Sequence, residues 1–157
     1  MTTLSKVVIF PVLLALAACA GGEDSSATSE LAEQEANPER IEVQHILISF
    51  AGKLSKPGLT RSQEEAEELA NDLLERIKNG EDFDNLVQTY TDDSYPGIYK
   101  MANLDVPLNE AEGEYSRGRM VKGFGDISFS LKVGEVGMCG FNAEMSPYGW
   151  HIVKRLK

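Results

Sequence analysis

Cysteine, histidine and tryptophan are all scarce in this chain. Its 157 residues hold two cysteines, two histidines and one tryptophan. Two cysteines cannot build a disulfide scaffold, and no Cys/His cluster has metal-ligand spacing, so neither metal nor cofactor is expected. Positive charge is short as well: 15 Lys+Arg against 25 Asp+Glu leave a formal net charge of -10. Phosphate binding needs a clustered basic face, so nucleic acid is not an expected partner. No Gly-x-Ser-x-Gly elbow and no phosphate loop occur, which leaves nucleophilic hydrolysis and phosphoryl transfer without support. The apolar run from Val7 to Ala18 is too short to span a bilayer comfortably. What is present is an acidic chain of single-domain size with an unusual start.

That start has the layout of an export signal. Lys6 is the only charged side chain before Glu23, and it precedes the apolar run, which ends in Leu16-Ala17-Ala18-Cys19. Residues 1–18 read as a signal peptide of the lipoprotein kind, with Cys19 as the lipidated residue and new N-terminus. The alternative is an ordinary signal peptide cleaved near Ala18, with Cys19 incidental. Acyl chains on Cys19 would hold the protein at a bacterial cell-envelope membrane without a spanning helix. Residues 20–40 carry six acidic side chains against one Arg and no aromatic. They bury too little apolar area to offset their ordering entropy, so 19–40 reads as a flexible acidic linker.

Residues 41–157 read as one domain. Ile41–Phe50 is β-branched and apolar on both parities, which predicts a central strand. A helix follows Ser62, which has capping-box spacing to Glu65, and Gly80 ends it. A second short helix is predicted after Asp82, with Phe83, Leu86, Val87 and Tyr90 inward. Residues 91–118 read as turn-rich, 121–131 as a short helix, and 136–141 and 149–156 as two closing strands. The order predicts an α+β fold with a small antiparallel sheet packed by three to four helices.

Few side chains here carry chemistry. His45 and His151 each sit mid-strand among apolar neighbours, where a histidine is more often a satisfied core residue than a catalytic one. If the first and last strands lie side by side, however, the two imidazoles can share a hydrogen bond. Asp92-Asp93-Ser94 reads equally as an exposed turn. Met120 and Phe124 read as core, and Cys139 as a small packed hydrophobe rather than a nucleophile.

Five phrases, in order, change that balance. They are Val43-Gln-His-Ile-Leu-Ile48; Arg61–Ala66 through Ile77-Lys-Asn-Gly-Glu-Asp-Phe83; Phe83–Ser94; Arg117-Gly-Arg-Met-Val-Lys-Gly-Phe124 running on to Val136; and Tyr148-Gly-Trp-His-Ile-Val-Lys-Arg155. Together they resemble the parvulin-type peptidyl-prolyl cis/trans isomerases over nearly all of 41–157. The resemblance implies a parvulin/FKBP-like fold, with His45 and His151 as a buried pair and Asp93 at the family's Cys-or-Asp position. It also implies Met120 and Phe124 as the wall and floor of a proline pocket, and Ser146 near a supporting hydroxyl position. Partners would be proline-containing unfolded or extended polypeptides. The chain departs from the family pattern between Ser94 and Tyr115, where Ile98, Met101 and Leu104 compete for the pocket's aliphatic wall. The Arg pair of the phospho-specific subgroup is missing; Lys53 and Lys56 are in the relevant loop. The remaining alternative is a non-catalytic chaperone or peptide-binding module of the same fold.

Overall fold

The computed structural model describes residues 37–157. The expected signal peptide, the lipidated Cys19 and the linker up to Ala36 lie outside the described residues. At the domain's edge, the Asn103 side-chain amide donates to Asn37 Oδ1 and to the Pro38 carbonyl, both at 2.9 Å. Asn37 and Pro38 are thereby tied to the segment that follows Ala102.

Strand β1 (Arg40–Ile48) sits in the middle of a five-stranded sheet. Strand β2 (Ile98–Ala102) pairs antiparallel on one side, and β5 (Trp150–Arg155) on the other. Strand β4 (Val136–Cys139) closes the far edge against β5. The two-residue β3 (Tyr115–Ser116) lies parallel to β2, so the sheet is mixed rather than purely antiparallel. The segment 103–114, with a short 3-10 turn, returns the chain to the same end before β3, and a parallel neighbour requires such a crossover. The turn-rich region of the sequence thus holds two strands, β2 and the edge strand β3.

Among the described residues, three α-helices cover the sheet. Helix α1 (Gln63–Lys78) begins at the expected capping box, with Glu65 N–H on Ser62 Oγ and Ser62 N–H on the Glu65 carboxylate. Helix α2 (Phe83–Tyr90) is capped by Asp82. Both lie on one face, where Ile46, Ile48, Leu73, Leu86, Val87 and Ile152 form the larger core. Helix α3 (Lys122–Ser130) covers the other face, packed on Val43, Met101 and Val153 through Phe124 and Phe129.

Candidate active site

Strand alternation decides which side chains reach each face. Along β1, Ile46 and Ile48 join the core under α1 and α2, while Val43 points to the α3 face. His45 and Leu47 share its parity. On β5, His151 shares the parity of Val153, with Trp150 and Ile152 opposite. His45 lies across from Val153, and His151 across from Leu47. The imidazoles are therefore diagonal neighbours on adjacent strands, within reach of each other. His151 Nδ1 is 2.9 Å from His45 Nε2, and the rings stack 4.9 Å apart. The side-by-side placement of first and last strands makes this pair.

Burial keeps the pair uncharged. It pushes His151 down to about 4, against a pull upward from the Asp93 carboxylate. Burial, then His151, hold His45 well below the ordinary imidazole range. Two neutral rings share one proton across their contact, so two tautomer arrangements compete. In one, His151 Nδ1–H donates and His45 carries its own proton on Nδ1, facing Asp93 Oδ2 at 3.8 Å. In the other, a bare lone pair faces that carboxylate. Asp93 favours the first.

Asp93 does not hydrogen-bond to either histidine. The Tyr99 hydroxyl donates to its Oδ2 at 2.5 Å instead. Burial, then this bond to an acid, raises the Tyr99 phenol above its ordinary value, so it stays protonated. Asp92 beside it behaves differently. Its carboxylate is buried, accepts from Ser49 N–H at 2.9 Å, and is gripped by Arg61 and Lys56. One acid anchors the loop and its neighbour faces the cavity.

That cavity has a volume of about 260 Å³. Phe124 makes its floor, 4% exposed, with ring centroids 4.8 Å from His45 and 5.4 Å from Tyr99. Met120, Val121, Leu54 and Tyr148 supply apolar walls, and Asp93 and Tyr99 bring the polar edge. Gly97 lets β2 come close enough: with φ 66, a Cβ there would lie 2.5 Å from the His45 carbonyl.

The chain matches the PPIC-type PPIase domain family over residues 27–157. It belongs to the parvulins. The parvulin chain is 31% identical over 119 residues to the Chaperone SurA of Pseudomonas fluorescens, covering 75% of itself and 23% of that protein. It is also 31% identical over 127 residues to the Foldase protein PrsA of a Geobacillus species, covering 80% of itself and 41% of that protein. It thus spans less than half the length of these curated relatives. The peptidyl-prolyl isomerase ESS1 from Candida albicans has the same fold, at a TM-score of 0.59 and 23% identity over 84% of this chain and 73% of that one.

Within the parvulin frame, His45, Asp93, Met120, Phe124 and His151 all line one cavity. Ser146 does not line it: the residue is fully buried and its hydroxyl donates to the Gly149 carbonyl at 2.7 Å, shaping the turn before β5. None of the three candidates for the aliphatic wall lines it either. Met101 is core, Ile98 is 44% exposed and Leu104 is 56% exposed. Tyr99 holds that place. The alternation of Tyr99 and Met101 against Ile98 and Lys100 was the available signal, in a segment too short and turn-flanked to stand out. Cys139 is half-buried on β4, its thiol raised by burial, and is not among the residues of the cavity.

Proposed function

We propose that this parvulin domain is an active peptidyl-prolyl cis/trans isomerase that twists X-Pro bonds without a covalent intermediate. One observation carries the reading: an apolar cup walled by Met120 and Phe124 has a carboxylate, a phenol and two neutral imidazoles on one side. An amide resists rotation by about 18–20 kcal/mol because twisting breaks its resonance. No bond has to break, so a nucleophile is unnecessary. The cup grips the proline ring, and fixed polar groups beside the rotating amide favour the twisted state over both planar ones. Asp93 is the group we assign to that electrostatic role. His45 and His151 act behind it, holding the local proton arrangement. The substrates are proline-containing unfolded or extended polypeptides.

The test is exchange spectroscopy on X-Pro peptides with the purified chain. Catalysed cis/trans exchange, reduced by Met120→Ala, is the expected result; no acceleration of any peptide would leave a peptide-binding chaperone. That second reading is favoured by the relative named Chaperone SurA.

We further propose that residues 41–157 are the catalytic unit, that 1–18 are removed, and that lipid on Cys19 tethers the protein to an envelope membrane, where it assists exported chains. The support is the apolar run ending in Leu-Ala-Ala-Cys. Cys19→Ser should release the protein from the membrane fraction or block its maturation; a variant that matures and sediments normally would refute the tether.

A further inference from the structure

A second cavity, of about 280 Å³, opens beside the first and uses Met120 as a common wall. Leu104, Arg117, Lys122 and Asp126 also line it. Leu104 is more than half exposed, an apolar surface with no cover of its own. Arg117 is fixed: its guanidinium donates to Asn103 Oδ1 and to Asp126 Oδ1, each at 2.9 Å, and lies over the Phe129 ring. Lys122 is an exposed side chain whose ammonium meets Asp126 Oδ2 at 2.5 Å. Two cations share one carboxylate, and exposed Arg119 sits one residue before Met120. This is a net positive rim on a chain whose formal charge is -10.

A peptide whose proline fills the first cavity would reach the second by sending a neighbouring side chain across Met120. We infer that the second cavity is a subsite for an acidic side chain flanking the proline, with glutamate the best fit. Its methylenes cover Leu104 and Met120, and its carboxylate meets Lys122. Asp126 yields Lys122 readily, because an exposed ion pair contributes little. The inference rests on the peptide-binding site assigned above and adds a substrate class to it.

The experiment compares peptides that differ only in Glu, Ala or Lys, placed before the proline in one set and after it in another. Catalysed exchange gives kcat/KM, and chemical-shift titration gives Kd, for the full chain and for Lys122→Glu. In the wild type, Glu peptides should exceed Lys peptides by about twofold to fivefold at one of the two positions, as expected for an exposed charge pair. That ratio should shrink with added salt and invert in Lys122→Glu. A ratio within one protein sample is insensitive to how much of the variant folds. Exchange accelerated equally for Glu and Lys peptides at both positions overturns the subsite and leaves the isomerase. If no peptide is accelerated, the isomerase reading falls, and the Kd ratio alone decides the subsite: no Glu preference overturns it.

Discussion

The two faces of the sheet are built from the same strands and serve different ends. Under α1 and α2, side chains such as Ile46, Leu73, Val87 and Ile152 are fully buried and purely apolar. Under α3, the same strands present His45 and His151, both buried, beside a cavity that no side chain of the described residues fills. An apolar face gains from close packing alone. The other face spends part of that gain on uncharged imidazoles, each with one ring nitrogen lacking a partner among the described residues. One sheet thus separates the side that keeps the domain folded from the side that keeps a cleft open.

Substitutions should respect that division. The largest effect is expected on the packed face, where Leu73→Ala removes a fully buried side chain and should cost about 2–5 kcal/mol of unfolding free energy in urea titration. Per folded molecule, catalysed exchange should be unchanged.

Acid should act through the cleft face. Both imidazoles have folded-state values below their ordinary 6.5, so the unfolded chain binds more protons in that range. Stability is fully present above 6.5 and falls as pH drops, in the case of His151 down to about 4. The slope should reach up to about 1.4 kcal/mol per pH unit for each ring. Urea midpoints measured from about pH 6.5 to 4.5 lie mostly above carboxylate titration and isolate this contribution. His151→Asn should flatten the slope; an unchanged slope would mean that the rings are not a buried neutral pair.

Met120→Ala should show the converse of Leu73→Ala. Loss of apolar contact with substrate should lower kcat/KM by the equivalent of about 1–3 kcal/mol, with little change in the urea midpoint. Asp93→Asn keeps the shape and removes the charge, and should lower activity about tenfold, or about 1.4 kcal/mol. Activity equal to wild type would reduce Asp93 to a turn residue. Tyr99→Phe should have the smallest effect, about threefold or less at neutral pH. Without the phenol, the Asp93 carboxylate loses the hydroxyl that fixes its orientation toward the cavity. Catalysed exchange equal to wild type would make Tyr99 only a wall.

Much of the packed face was legible in the sequence, because its signals are local. The Ser62–Glu65 box, the Asp82 cap and the apolar periodicity of 66–77 place α1 and α2 without reference to anything distant. The histidine pair was legible in part, since the parity of His45 and His151 is readable but their adjacency needs β1 and β5 to be neighbours. Tyr99 was not legible. Its role depends on β2 pairing with β1 and on Gly97 allowing the close approach, which are contacts between segments far apart in the chain. The division of roles between Asp92 and Asp93 came only from the family resemblance, since adjacent acids look alike until Arg61 claims one of them.

The alternation along β1 also constrains how this chain can diverge. A single residue inserted before His45 within the strand would turn His45 and Leu47 toward α1, and bring Ile46 and Ile48 to the cleft. One codon would then bury an imidazole in a packed apolar layer and remove it from its partner at once. Insertions in the 51–60 loop or the 103–114 crossover carry no such penalty, because neither sets the parity of β1 or β5. Length variation among descendants of this domain should therefore accumulate in those two loops, while β1 and β5 change by substitution alone.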